Sequence, residues 1–188
     1  MKVKHLLDLY KFQEVYRACN KKNNIPENDA EHSWFVAMLI LCLMPDLEDE
    51  FGELNKEKLL TMAIIHDMGE LGTGDIPTWA KNNNHKLDEI SFIRNYFDKL
   101  NRADLIPLFE ELENTSSLEA NIVKSCDRIA PVMLRIFTEE GWKNVEQDHS
   151  TQKALDERQI PRHQFSKTMM SLYQELTNIA IQKDLFND

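Results

Sequence analysis

The sequence predicts an all-α fold in a single domain, and two observations carry that expectation. Five glycines and six prolines among 188 residues are roughly half the usual share, too few for the many tight turns of a sandwich or barrel. Apolar residues recur at helical rather than alternating spacing along most of the chain. A length of 188 residues suits one core and leaves little room for a second.

Taken in order, Leu6, Leu7, Leu9, Tyr10, Phe12, Val15 and Tyr16 space a first helix that ends in the polar Asn20 to Asn24 stretch before Pro26. Asn28 or Asp29 can cap a second helix, which runs through the apolar Trp34 to Leu43 segment to Pro45. That segment is apolar on nearly every face, so the helix is expected to be central and buried, with Trp34 in the core. Asn55 can cap a third helix from Lys56 to about Asp67, with Leu59, Leu60, Ala63 and Ile64 inward. Gly69, Gly72, Gly74 and Pro77 then mark an irregular loop, the kind of segment on which sites are built. Leu87 to Leu100 and Leu105 to Leu112 read as amphipathic helices, and Ser116 with Glu119 forms a capping box for a long helix through Phe137, with Pro131 inside it. From His163 to Asp184, a stripe of Phe165, Met169, Leu172, Tyr173, Leu176 and Ile179 predicts a final packing or dimerising helix.

Composition excludes several functions. A formal charge of −10, from 22 basic and 32 acidic residues, has the wrong sign for a nucleic-acid backbone or an anionic membrane. An anionic small molecule remains compatible where a bound cation dominates the local field. The longest uncharged stretch, Ser33 to Pro45, is shorter than a membrane span, and the N-terminus carries Lys2, Lys4, Asp8 and Lys11 with no apolar signal region. Cys19, Cys42 and Cys126 are odd in number and lack CxxC spacing, which suits buried free thiols in a cytoplasmic protein.

Four features could carry chemistry together: Glu31-His32, His66-Asp67, the loop from Thr73 to Thr78, and Asp127. Each alone has an ordinary reading. An adjacent His-Asp pair is usually exposed at a helix end, and Asp127, three residues after Lys124, could be its ion-pair partner. Here the pair follows Ala63, Ile64 and Ile65 and enters the glycine-rich loop, while His32 opens the most apolar stretch of the chain, where its ring nitrogens need partners. Imidazole and carboxylate donors suit a divalent first-row ion or magnesium, and two His with two Asp leave open coordination positions, the mark of a catalytic site.

The order His, His-Asp, distant Asp on a helical chain resembles the HD-domain metal-dependent phosphohydrolases. Within them, Ala30-Glu31-His32-Ser33, His66-Asp67-Met68-Gly69-Glu70 and Thr73-Gly74-Asp75-Ile76-Pro77-Thr78 resemble the bacterial 5'-deoxynucleotidases and their eukaryotic HD-containing relatives. The match covers roughly residues 6–137, within a single HD domain over 1–188 whose helical extension occupies about 142–188. The resemblance implies His32, His66, Asp67 and Asp127 as ligands of one divalent ion: cobalt, manganese, magnesium or another first-row metal. It implies Glu70 as general base or acid on a metal-bound water, Asp75 near that water, and Arg17 on the substrate phosphate. Ala18 follows Arg17 where the bacterial enzymes typically carry an aromatic residue. Trp79, just beyond the loop, is a candidate to close over a sugar or base. Trp142 reads as core, His5, His149 and His163 have polar settings, and His85 is a candidate second layer behind the site.

The expected activity is removal of the 5'-phosphate of (deoxy)nucleoside monophosphates by a cytoplasmic homodimer of nucleotide metabolism, with no nucleic-acid polymer and no membrane as partner. The alternatives are another phosphorylated small molecule or a non-catalytic metal-binding helical module. A di-iron oxygenase would need extra histidines between Asp67 and Asp127, where only His85 lies, and an alarmone hydrolase would carry an acid after Glu70, where this chain has Leu71.

Overall fold

The computed structural model describes residues 3–75, 83–145 and 149–187. The expected helical architecture holds, with one local exception at the start. Helix α1 (Val3–Asp8) passes into a 3-10 segment, and the chain then forms a two-stranded antiparallel hairpin, β1 (Tyr16–Lys21) and β2 (Ile25–Asn28). The long first helix is therefore corrected. Asn23 and Asn24 adopt φ of 66° and 56°, left-handed conformations that Asn tolerates and a tight reversal needs. Strand β1 packs on helix α7 (Leu118–Thr138), and the Asp29 amide donates to the Val15 carbonyl at 3.0 Å, tying the hairpin to the helix that follows.

Helix α2 (Asp29–Phe51) begins with a capping box, in which the Asn28 side chain accepts from the Glu31 amide and the Glu31 carboxylate accepts from the Asn28 amide. It does not end at Pro45, which sits exposed on the solvent face. There the carbonyl left without a donor belongs to Leu41, itself exposed, so water can compensate the lost bond. Nor is α2 buried all round. Val36, Leu39, Ile40, Met44 and Leu47 face the core, whereas Trp34, at 66% exposure, lies with Met38 and Leu41 on an outward stripe. The expectation of Trp34 in the core is corrected. At 23 residues α2 is the one helix among those described that is long and apolar enough to span a bilayer, yet it packs against α3 (Lys56–Ile65), α7 and α9 (Lys167–Gln182).

Asn55 caps α3 as expected, its side chain accepting from the Lys58 amide, but the inward set is Leu59, Met62, Ala63 and Ile65, and Ile64 is exposed. The chain turns through His66 to Gly69 into a single helical turn, α4 (Glu70–Thr73). Helix α5 (Asn83–Lys99) crosses so close to this turn that a Cβ on Gly69 would meet the Glu89 Cβ at 2.8 Å. Helix α6 (Ile106–Glu113) follows, and α7 is capped by Ser117, accepting from the Ala120 amide, rather than by Ser116. The tail forms two helices, α8 (Gln152–His163) and α9, the latter starting at Lys167 and not at His163. Met169, Tyr173 and Leu176 of the α9 stripe are buried in this chain's own core, so most of the stripe packs within the chain, while Ile179 at its end is exposed.

Two apolar clusters result. One joins α2, α3, α7 and α9, and the other gathers Phe12, Ile65 and Met68 with Ile93 and Phe97 of α5 and Phe109 of α6. Ala63 and Cys126 belong to the first and Ile65 and Met68 to the second, so His66, Asp67 and Asp127 lie along their boundary.

Candidate metal centre

Each expected ligand is delivered by a rigid element. The capping box places Glu31 outward, where it pairs with Lys21 at 2.5 Å, and so turns His32, the next residue, fully inward. His66 closes α3, with its Nδ1 2.8 Å from the Ala63 carbonyl. Asp67 begins the turn behind it, and Asp127 projects from α7. Lys124, the rival partner of Asp127, instead pairs with Glu113 at 2.7 Å.

These side chains converge. His32 Nε2 lies 3.0 Å from Asp127 Oδ1, His66 Nε2 lies 3.0 Å from Asp67 Oδ2 and 3.6 Å from Asp127 Oδ1, and one donor atom from each of the four falls within 4.8 Å of the others. Arg17, from β1, reaches into the same place. Its Nη1 donates to Asp67 at 2.6 Å and to Asp29 at 3.2 Å, and its Nη2 stands 3.9 Å from Asp127. Glu70 is buried and shares a second cluster with Asp29 and Asp67, and Asp75 acts electrostatically on both Arg17 and Asp29. Trp79 and the loop residues Ile76 to Thr78 lie outside the described residues. His85 is half-buried on α5, and Trp142 is buried and stacked on Phe186.

The electrostatics follow from this crowding. Burial would raise the Asp67 carboxyl, but His66 and Arg17 beside it outweigh that and hold it well below the usual range. Burial acts likewise on Asp127, which His32 and His66 beside it hold low. His66 is driven the other way: burial disfavours its charge, yet Asp67 and Asp127 raise it to about 10. Burial, and then the charge of Asp67, push Asp29 up to about 7.

Two of these residues escaped the sequence reading. Asp29 served there only as a cap candidate, although it lies three residues before His32 and hence on the same helix face. Glu27 was not singled out. It is buried beside Arg17 and His32, within a run, Pro26 to His32, that holds three acids, and that acid density was the available signal.

The HD domain profile matches residues 9–169 of this chain. The chain belongs to the HD domain family. Among its relatives, human 5'-deoxynucleotidase HDDC2 is 29% identical over 124 residues, 63% of this chain and 56% of the human protein, so the match spans little more than half the length of that relative. The 5'-deoxynucleotidase PM0747 of Pasteurella multocida is 29% identical over 153 residues, 75% of this chain and 77% of that protein. A solved structure described as a predicted metal-dependent phosphohydrolase from Magnetospirillum magnetotacticum shares the fold, with a TM-score of 0.83 at 23% identity over 100% of this chain and 97% of that one.

The residues of this HD domain fit a divalent metal ion. The Nε2 of His66 is buried with no hydrogen-bond partner, while its Nδ1 faces a carbonyl, so when a cation displaces the second proton the remaining one stays on Nδ1 and Nε2 offers the lone pair. Two imidazole nitrogens and two carboxylate oxygens within 4.8 Å of one another form a mixed donor set suited to several first-row ions or magnesium.

Proposed function

We propose that this chain is a phosphohydrolase that uses one divalent ion, held by His32, His66, Asp67 and Asp127, to remove the 5'-phosphate of (deoxy)nucleoside monophosphates. The observation that carries the reading is the buried four-residue donor cluster with Arg17 and Glu70 against it. When bound, the ion supplies Lewis acidity, lowering the pKa of a water and drawing charge from a phosphoryl oxygen. Glu70, buried one turn beyond Asp67, takes the proton of the attacking water and returns one to the leaving 5'-oxygen. Arg17, oriented by Asp29 and Asp67, presents its guanidinium fork to the phosphoryl oxygens, a geometry that Lys cannot reproduce. Asp75 adds a second carboxylate for the water, and Trp79 is the candidate cover for the sugar or base.

The proposal includes a single HD domain over 1–188, the helices after residue 142 sharing the core of the motif-bearing ones, and a cytoplasmic address. The charge of −10 supports a small anionic substrate over a nucleic-acid polymer. A homodimer is part of the reading, supported by the outward apolar stripe of Trp34, Met38 and Leu41 on α2.

The test is phosphate release by metal-stripped protein from dAMP, dGMP, dCMP, dTMP, the ribonucleotides and an aryl phosphate, with cobalt, manganese or magnesium restored. Metal-dependent release from the nucleotides supports the proposal, and the spread among them ranks deoxy against ribo and base against base. Stoichiometric metal uptake with no nucleotide hydrolysed refutes it.

A further inference from the structure

The two histidines of the centre are held by different means. His66 turns its Nδ1 to the Ala63 carbonyl at 2.8 Å, a main-chain group that no substitution removes. The Nδ1 of His32 is buried with no hydrogen-bond partner, and so is the Oε2 of Glu27. These two atoms stand 3.4 Å apart. A shift of about 0.4 Å would bring them to ordinary hydrogen-bonding distance. A buried donor and a buried acceptor, each otherwise unmatched, thus face one another, and leaving either alone is costly.

The surroundings make this pairing durable. Glu27 lies in β2 immediately before Asn28, the cap of α2, so hairpin and helix start both fix its backbone. Its carboxylate is buried, 8% exposed, and also lies 3.8 Å from Arg17 Nε, which lessens the penalty of an interior charge. On its other side His32 presents Nε2 to Asp127 at 3.0 Å. For Nε2 to offer a lone pair there, the ring proton must sit on Nδ1, and Nδ1 faces Glu27.

We propose that Glu27 is a positioning residue of the metal centre. It accepts the Nδ1 proton of His32, holds the imidazole in the tautomer whose Nε2 faces Asp67 and Asp127, and by its charge strengthens Nε2 as a ligand. The inference rests on the reading of the four-residue cluster as a metal site.

The experiment compares the full chain with Glu27→Met and Glu27→Gln, measuring cobalt dissociation constants by chelator competition and the ring-nitrogen NMR signals of His32 in metal-free protein at alkaline pH. Glu27→Met is expected to bind cobalt ~10–100-fold more weakly and to lose the fixed Nδ1 proton. Glu27→Gln, whose carbonyl can accept the same proton, is expected to keep the tautomer and regain most of the affinity. A folded Glu27→Met with wild-type cobalt affinity overturns the inference, as it would if Glu27 served Arg17 alone. So does a wild-type His32 carrying its proton on Nε2, a readout that needs no variant to fold. A wild-type chain that takes up no cobalt overturns the metal centre itself.

Discussion

This protein buries histidine in two places and treats it in opposite ways. In the candidate metal centre His66 is pulled up to about 10 by Asp67 and Asp127 against the effect of burial, and ring nitrogens and carboxylate oxygens there lack hydrogen-bond partners, among them His32 Nδ1, His66 Nε2 and Asp29 Oδ2. In the C-terminal half His163 is equally buried, but both ring nitrogens are engaged, Nδ1 with Ser125 Oγ at 2.7 Å and Nε2 with Gln159 at 3.1 Å. Burial, then the nearby charge of Arg128, lower it to about 4. A histidine that is only structural is neutral and hydrogen-bonded, whereas one kept among carboxylates with a nitrogen to spare is prepared for a cation.

The sharpest way to break that contrast is to remove a donor. Asp127→Ala is expected to abolish stoichiometric cobalt uptake in a dialysis assay and to cut nucleotide hydrolysis by about 10³-fold or more, while His163→Gln leaves both unchanged. Next comes Glu70→Gln, expected to retain the metal and lose about 10²–10⁴-fold in kcat; equal turnover in that variant would remove Glu70 from the chemistry. A smaller effect concerns pH. Because His163 titrates near 6.5 when unfolded and at about 4 when folded, the folded chain binds fewer protons between those values. Its contribution is complete above pH 6.5 and is lost as pH falls toward 4, on the order of 3 kcal/mol. Urea unfolding at the two ends of that window should show this loss in wild type and a reduced one in His163→Gln.

The smallest expected effect lies at the junction of α2 and α9. Glu50 accepts from the Lys167 amide at 2.6 Å, the Thr168 amide at 3.0 Å and Ser166 Oγ at 2.8 Å. Although burial opposes it, these bonds lower its carboxyl to about 2. Glu50→Ala should cost about 1 kcal/mol in thermal unfolding and leave cobalt affinity untouched, since Glu50 lies at the far end of α2, about five helical turns from His32.

The residue pattern itself determined the helical class, most helix starts and the four metal-ligand candidates, because apolar periodicity, capping residues and a His-Asp pair at the end of an apolar helix are local properties of the chain. The hairpin was not legible: Tyr16 to Lys21 continues an apolar spacing that helix and strand share, and only packing on α7 chooses between them. Trp34 and Leu41 look like core by hydropathy alone, yet a helix within a bundle has one face to bury and α2 has turned these outward. Above all, the tertiary structure alone brought Glu27 and Asp29 to Arg17 and the histidines. Their meeting depends on a hairpin laid across α7 and on distances of a few ångströms between residues up to 110 positions apart, and charge interactions in a buried site are governed by those distances and by the exclusion of water.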